Sequence, residues 1–193
     1  MKPLQINFDP FPELSTERLR LRFLDMEDSK GYFEIRSNEQ VMKYLARPKA
    51  ETIEDAAAVI KRVHDSIQKN TGICWALCLK ENPKIIGTIG FYRTQPEHYR
   101  TEIGYELHPD FWKKGIMSEA MRAVLDYAFH EMNFHSVEAN IDPINKKSRN
   151  ILEKNHFLKE AHFRENYFFE GRFTDSAIYS LLKSRHVAMT GQV

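Results

Sequence analysis

The chain of 193 residues carries 28 basic and 27 acidic side chains, and 42% of its residues are hydrophobic. Its length predicts a single domain over residues 1–193, and the balanced charge, without a long basic block, argues against direct nucleic-acid binding. The longest apolar run, Ile73–Leu79, is too short to cross a bilayer, and the N-terminus turns polar too early for a secretory signal. We therefore expect no membrane partner and a cytoplasmic location.

The first part of the chain predicts one strand and three helices. Prolines within the first 12 residues predict an extended lead-in over residues 1–13, and residues 18–24 alternate between arginine and apolar side chains, as a strand does. Asp25 predicts the cap of a first helix, and a short helical segment is predicted near residues 41–45. Thr52 and Asp55 resemble a capping box and predict the start of a longer helix.

Three strands are predicted next, and the third of them is the centre of the pattern. Residues 73–80 and 84–92 are rich in β-formers and flank a turn, whereas residues 94–99 are polar and predict a loop. Thr101–Leu107 alternates with a period of two, which places Ile103 and Tyr105 on one face and glutamates on the other.

The longest helix is predicted over residues 117–129, where apolar side chains recur at intervals of three and four. The elements after it are a strand at 136–141, a turn at 142–145, a helix at 146–155, and two strands at 157–163 and 173–182. Residues 184–193 predict a frayed tail. This order predicts an α/β fold in which helices flank a mixed sheet.

Neither the cysteines nor the histidines have the spacing of a metal site. Cys74 and Cys78 are four residues apart on a predicted strand, so they face the same side but lie too far apart for an easy disulfide. One C-x-x-x-C pair is a poor zinc motif, and the eight histidines show no H-x-x-x-H or H-E-x-x-H spacing. We predict core packing for both cysteines and no metal.

The junction between the strand at 101–107 and the long helix has the composition of an anion-binding turn. It reads Trp112-Lys113-Lys114-Gly115-Ile116-Met117-Ser118. The first N–H groups of a helix lack partners, the helix dipole is positive there, and a glycine lets a ligand approach the backbone. The turn predicts a phosphate or pyrophosphate ligand. An ordinary loop glycine beside solvated lysines is the alternative, because no glycine-rich nucleotide motif occurs in the chain.

This junction resembles the acetyl-CoA-binding turn of the GNAT (GCN5-related N-acetyltransferase) superfamily, whose motif [QR]-x-x-G-x-[GA] reads Trp112–Met117 here. The sequence of residues 102–120 is more similar still to the branch of RimJ/RimL-like ribosomal-protein N-terminal acetyltransferases. Trp112 and Met117 depart from the general motif. The resemblance covers about residues 14–182 and implies a mixed, mostly antiparallel sheet whose central strands, Thr101–Leu107 and Ser136–Ile141, splay to hold acetyl-CoA.

The resemblance also implies which residues contact the cofactor. The cofactor-binding residues so implied are Ile103, Gly104, Tyr105, Trp112, Lys113, Lys114, Gly115, Ile116, Met117, Ser118, Asn145 and Ser148. An unpaired N–H near residues 103–105 would donate to the thioester oxygen in the transition state. Asn145 would bond the pantetheine arm, and Ser148 would protonate the departing thiolate; a plain helix N-cap is the alternative role for Asn145. His156 stands where the family has glycine.

Glu102 is the candidate general base, acting directly or through a water, because related enzymes place a glutamate facing the acceptor at the start of this strand. A solvent-facing strand carboxylate is the alternative, and Glu106 is a rival that we expect to be structural. Arg164 and Asp175 are expected to form a buried ion pair. The loop Tyr167–Arg172 is expected to border the acceptor site.

The implied activity is acetyl-CoA-dependent transfer to a primary amine. A protein N-terminal α-amine, with a pKa of about 8 against about 10.4 for lysine, suits a modest base, and the sequence has no acidic cluster for a polycation. The alternatives are a small amine (polyamine, amino acid or aminoglycoside) and a non-catalytic acyl-CoA sensor. A monomer and a homodimer are both compatible with the sequence.

Overall fold

One sheet of eight strands runs through residues 2–191, the part of the chain that the computed structural model describes. In chain order the strands are β1 (Leu14–Ser15), β2 (Leu19–Phe23), β3 (Ile73–Leu79), β4 (Asn82–Gln95), β5 (Arg100–Leu107), β6 (Ser136–Ile141), β7 (Leu158–Phe169) and β8 (Arg172–Leu182). Their order in the sheet is β1-β2-β3-β4-β5-β6-β8-β7. Every neighbouring pair is antiparallel except β5 and β6. The predicted mixed, mostly antiparallel sheet is confirmed.

Six α-helices accompany the sheet within residues 2–191. They are α1 (Ser29–Arg36), α2 (Glu39–Met42), α3 (Ile53–Gln68), α4 (Ile116–Asp126), α5 (Lys146–Lys154) and α6 (Lys183–Thr190). The predicted capping box of α3 is present, since the side chains of Thr52 and Asp55 each accept a backbone N–H from the other's residue. Helix α4 continues into a π-helical turn over Tyr127–Glu131. No helix in this part of the chain is long and apolar enough to span a membrane.

The sheet has a hydrophobic cluster on each face. The larger one packs α4 against the sheet around Trp75, Phe91 and Phe129, which are fully buried. The smaller one packs α1 and α3 on the opposite face and includes Cys74. Strand β3 is therefore covered on both sides, which explains why its sequence is continuously apolar rather than alternating. The predicted burial of Cys74 and Cys78 is confirmed, with 2% and 1% of each residue exposed.

Strands β5 and β6 separate after a short contact, and the gap between them positions the site. Their parallel register pairs only Arg100 with Ser136, Thr101 with Val137 and Glu102 with Glu138. Beyond Glu102, β5 leaves its β6-facing edge without a strand partner. The predicted splay of the two central strands is thus present, and backbone groups of residues 103–107 face the gap.

Three local predictions are wrong. The tail predicted from residue 184 is helical up to Thr190, because α6 buries His186 against the side of α4; residues 192 and 193 lie outside the described residues. The loop predicted at 94–99 holds the end of β4 and a 3-10 turn. Strand β7 extends to Phe169, past the predicted end at 163, because pairing with β8 satisfies its backbone although its side chains are exposed.

Candidate active site

The turn from β5 into α4 has the backbone geometry that an anion site requires. Lys113 and Gly115 have φ angles of 60° and 77°, in the left-handed region that favours glycine. Gly115 is the N-cap of α4 and offers no side-chain acceptor, so the first N–H groups of the helix are left for a ligand. Lys113, Lys114 and Gly115 are exposed, whereas Ile116, Met117 and Ser118 bury their side chains. A ligand at this turn would meet backbone N–H groups and lysine charge.

Two residues that the sequence analysis missed hold this turn in place. Glu119, 8% exposed, accepts hydrogen bonds from Thr16, the Arg18 backbone N–H and the Arg18 guanidinium. Arg18 Nη1 also donates to the carbonyl oxygen of Lys114, at 2.9 Å. Burial acts to raise the pKa of Glu119, but these hydrogen bonds and the charge of Arg18 outweigh it and lower that pKa. No local pattern points to this bond, because Arg18 and Glu119 are 101 residues apart.

Trp112 connects the turn to α5. Its indole Nε1 donates to the Leu107 carbonyl at 2.8 Å. The Lys147 ammonium lies 3.5 Å from the centroid of the Trp112 ring, a cation–π contact. The tryptophan at the motif's Gln/Arg position is therefore a packed side chain that ties the turn to β5 and to the first turn of α5.

Tyr105, Asn145 and Ser148 come together beside the gap. The hydroxyl oxygens of Tyr105 and Ser148 are 2.7 Å apart, and the Asn145 side chain accepts the Ser148 N–H at 3.1 Å. Asn145 is thus the N-cap of α5, as its alternative role predicted. Burial raises the pKa of Tyr105, although the hydrogen bond with Ser148 opposes the shift, so the phenol stays neutral. The two hydroxyls are thus an uncharged, hydrogen-bonded pair beside the gap.

Gly104 lies opposite Gly90 of β4 in regular strand pairing. A Cβ at position 104 would lie 3.1 Å from the Tyr92 ring. The glycine therefore allows the Tyr92 ring to approach closely on the face that carries Glu102. Ile103, the preceding residue, has a buried side chain and offers the gap only its backbone.

Glu102 lies where the two central strands part, and its carboxylate faces a cavity. The Arg93 guanidinium donates to Oε2 at 3.0 Å, and 24% of the Glu102 side chain is exposed. The cavity, of about 610 Å³, is bounded by the segment after α2, by Asn140 and Asp142, and by the β7–β8 hairpin. By strand alternation Glu102 points to the opposite face of β5 from Tyr105, whose hydroxyl contacts Ser148. The two candidate proton-transfer groups, Glu102 and Ser148, therefore lie on opposite sides of the strand.

Charges of both signs line this cavity equally. Its five acidic and five basic side chains are Glu39, Glu102, Asp142, Glu170 and Asp175, and Lys43, Arg47, Lys49, Arg93 and Arg172. Tyr167 and Phe169, from the predicted bordering loop, also line it. A larger cavity of about 710 Å³ lies under α3 beside Tyr92 and contains none of the predicted site residues. The cavity at Glu102 is thus the candidate acceptor site.

Glu106 is structural, as expected. Arg36 Nη1 donates to Glu106 Oε1 at 2.6 Å, with 6% and 7% of the two side chains exposed. Burial acts to lower the pKa of Arg36, but the Glu106 carboxylate outweighs burial and raises it. Tyr32 donates a longer hydrogen bond, 3.4 Å, to the second oxygen of Glu106. Neither Arg36 nor Glu106 lines the cavity at Glu102, whereas Arg36 borders the larger cavity under α3.

The predicted buried pair of Arg164 and Asp175 is wrong. Asp175 is about one-third exposed; it bonds His162 Nε2 at 2.7 Å and accepts the Glu165 N–H at 2.9 Å. The pairing of β7 with β8 shifts between Phe163 and Tyr167, which turns the Glu165 N–H towards Asp175. That backbone hydrogen bond is the main reason why the pKa of Asp175 is lowered.

Known proteins resemble this chain over most of its length. A family model described as the acetyltransferase (GNAT) domain matches residues 18–158. The chain is 34% identical to the uncharacterized N-acetyltransferase YoaA of Bacillus subtilis, over 91% of this chain and 99% of YoaA. It is 23% identical to a spermidine N(1)-acetyltransferase of Vibrio cholerae, over 88% of this chain and 96% of that one. The fold superposes on RimL, a ribosomal L7/L12 alpha-N-protein acetyltransferase solved with coenzyme A, with a TM-score of 0.82 at 17% identity, over 90% of this chain and 99% of that one.

Proposed function

Because the chain belongs to the GNAT acetyltransferase family and is therefore an acetyl-CoA-dependent N-acetyltransferase, we propose that its acceptor is the α-amine of a peptide or protein N-terminus. The observation that carries this proposal is the balanced charge around Glu102. A polyamine gains most from a wall of one sign, because complementary potentials bind and steer a multiply charged ligand. A peptide suits a cavity lined by charges of both signs, since peptide side chains carry positive or negative charge.

Acetyl-CoA supplies the acetyl group as a thioester, and the chain offers two matching surfaces for it. We propose that the pyrophosphate binds the N–H groups at the start of α4, beside Lys113 and Lys114, because Gly115 leaves that turn open and capped by no side chain. The pantetheine arm would lie along the free edge of β5, with Asn145 at its side. The fit rests on the short register of β5 with β6, which ends at Glu102.

The proposed chemistry divides between the two faces of β5. Glu102 accepts the proton of the attacking amine, directly or through a water, while Arg93 holds the carboxylate at the cavity wall. A backbone N–H of residues 103–105 donates to the oxyanion that develops on the acetyl carbonyl. As the carbon–sulfur bond breaks, the thiolate takes a proton from Ser148, which the Tyr105 hydroxyl, 2.7 Å away, holds in position. Solvent returns a proton to Ser148 after coenzyme A leaves.

A small polyamine is the second candidate acceptor. It is favoured by the relative named as a spermidine N(1)-acetyltransferase, which aligns with 88% of this chain. The segment 102–120 favours the peptide instead, because it resembles the RimJ/RimL-like branch, and the fold likeness to RimL is compatible with that placement. We further propose that residues 1–193 work as one catalytic domain, located in the cytoplasm.

The test is a thiol-release assay with acetyl-CoA against N-terminal peptides, spermidine, amino acids and aminoglycosides, on the wild type and Glu102→Gln. We expect turnover of one peptide class, lost in the variant. Acetyl-CoA affinity, measured separately by calorimetry, should be unchanged because Glu102 faces the acceptor cavity. Turnover confined to spermidine would replace the peptide proposal with the polyamine, and tight binding without turnover of any amine would contradict both.

A further inference from the structure

Three potential metal ligands meet far from the candidate active site. A carboxylate oxygen of Asp126 and one ring nitrogen each of His130 and His186 all lie within 4.8 Å of one another. Asp126 and His130 are four residues apart at the end of the α4 helix, and His186 comes from α6, 60 residues beyond Asp126. Spacing along the sequence does not reveal this set, because its third member arrives through tertiary packing.

The cluster is organised rather than accidental. His186 is 2% exposed, its Nε2 donates to Asp126 Oδ1 at 2.7 Å, and its ring lies 5.0 Å from that of Phe129. These contacts fix the orientation of one imidazole, as neighbouring groups do for the ligands of known metal sites. Asp126 is 39% exposed and His130 is exposed. A metal ion could therefore reach the cluster from solvent.

The position of Asp126 and His130 at the end of a helix also favours a bound cation on electrostatic grounds. Asp126 and His130 lie at the C-terminal end of α4 and its π-helical extension, where the helix dipole places partial negative charge and favours a cation. π-helical turns are frequently found at functional sites. The start of α4, with the proposed pyrophosphate turn, is about 15 Å away along the helix, at 1.5 Å per residue. The cluster thus shares no residue with the acetyl-transfer machinery.

We propose that Asp126, His130 and His186 bind a divalent transition-metal ion of the Zn²⁺ class, which clamps α6 to the end of α4. Two imidazoles and one carboxylate suit Zn²⁺, Ni²⁺ or Cu²⁺ rather than Mg²⁺ or Ca²⁺, which prefer oxygen ligands alone. The ion replaces the hydrogen bond between His186 and Asp126, and the imidazole proton moves to the ring nitrogen that does not bind the metal. Metal binding at this cluster does not depend on the identity of the amine acceptor.

The test uses the full chain without a polyhistidine tag, titrated with ZnCl2 by calorimetry and melted with and without Zn²⁺. We expect one ion per chain and a higher melting temperature with Zn²⁺, because a ligand that binds only the folded state stabilises it. His130→Gln removes one of the three ligands, so it should weaken binding by more than the roughly tenfold loss that follows mutation of an outer-shell partner, and remove most of that rise. His130 is exposed, so without Zn²⁺ this variant should melt as the wild type does.

The matched control is His98→Gln, which removes another exposed histidine outside the cluster and should leave the Zn²⁺ response intact. Substitution of Co²⁺ for Zn²⁺ should give the visible absorption of a cobalt–imidazole site in the wild type and in His98→Gln, but not in His130→Gln. Equal Zn²⁺ affinity in His130→Gln and the wild type would overturn the proposal. So would the absence of saturable Zn²⁺ binding by the wild type, which would leave His186 and Asp126 as a structural hydrogen-bonded pair.

Discussion

Glu102 and Glu106 lie four residues apart on one face of β5, and each accepts a hydrogen bond from an arginine, yet their surroundings are opposite. Glu102 lies where β6 diverges, beside a cavity, and its partner Arg93 is 67% exposed. Glu106 lies under α1, and its partner Arg36 is 6% exposed. The same residue type on the same strand is thus available for chemistry at one end and locked into the interior at the other. Residue type and strand face do not distinguish them; the elements that cover the strand do.

The largest expected effect is a loss of activity when the carboxylate at the open end of β5, Glu102, is removed. Glu102→Gln keeps the shape of the side chain but removes the base, and we expect kcat/KM to fall by roughly 10²- to 10⁴-fold, the usual contribution of general base catalysis. The free energy of unfolding should change by less than about 1 kcal/mol, because the pair with Arg93 is exposed. Steady-state kinetics with the acceptor found in the thiol-release assay, together with urea denaturation, measure both quantities. Full activity in this variant would remove Glu102 from the mechanism.

The next largest effect is a loss of stability when the carboxylate at the closed end of β5, Glu106, is removed. Glu106→Gln leaves the Arg36 charge buried without its counter-ion, and we expect the free energy of unfolding to fall by about 3–5 kcal/mol. Urea denaturation measures the loss.

A double variant, Arg36→Met with Glu106→Leu, is the control for that loss, because replacing both charges by apolar groups is often neutral or stabilising. It should recover most of the stability that Glu106→Gln loses. If Glu106→Gln folds as stably as the wild type, the pair does not hold α1 on the sheet.

A smaller effect concerns the pH dependence of the free energy of unfolding, which reports how well two buried tyrosines beside β5 are shielded from water. Burial raises the pKa of Tyr105, beside the gap between β5 and β6, and of Tyr32, at the closed end, above the ordinary value of 10.0. Above pH 10 the unfolded chain therefore loses these protons while the folded chain keeps them, so the free energy of unfolding falls as pH rises. Below pH 10 both states are protonated and the tyrosines contribute no pH dependence.

Tyr105→Phe and Tyr32→Phe should each reduce this alkaline loss of stability, which urea denaturation between pH 8 and 11 measures. One fully shifted group contributes at most about 1.4 kcal/mol per pH unit. Equal reductions would indicate that the gap between β5 and β6 at Tyr105 and the closed end at Tyr32 both exclude water in the absence of ligand. An unchanged alkaline slope in Tyr105→Phe alone would mean that solvent reaches Tyr105 through the gap between β5 and β6.

The sequence predicts contacts between residues that are close along the chain better than contacts between residues that are far apart along it. The capping box of Thr52 and Asp55 and the cap of α5 at Asn145 each depend on neighbours a few residues away; the first was predicted, and the second was the alternative role of Asn145. A glycine at the turn into α4 was also expected to let a ligand approach, but its left-handed φ was not predicted. Glu106 was expected to be structural, but its partner Arg36, 70 residues earlier, was not identified. The bonds of Arg18 with Glu119, the stacking of Lys147 on Trp112 and the docking of His186 depend on packing between distant elements. The sequence marks such residues only as charged or polar.

The smallest expected effect concerns Arg93, the counterpart of Arg36. Arg93→Gln removes an exposed ion pair, and we expect the free energy of unfolding to change by less than about 1 kcal/mol, because solvent screens such pairs. If Arg93 positions Glu102, kcat should fall by less than about tenfold, since at most about 1.4 kcal/mol of positioning energy is lost. The KM for acetyl-CoA should stay constant, because Arg93 lines the acceptor cavity and not the turn at Gly115.

Arg93→Lys is the conservative control, since a lysine retains the positive charge beside the carboxylate while losing the planar fork of donors. Rescue of kcat by this variant would assign the effect to charge. Failure of rescue would assign it to the geometry of the hydrogen bond to Oε2. A loss in kcat as large as that of Glu102→Gln would contradict the positioning role, because an exposed pair worth so little in stability is unable to hold the base by itself. In that case Arg93 would have to contact the acceptor directly, and the open end of β5 would contain two catalytic groups instead of one.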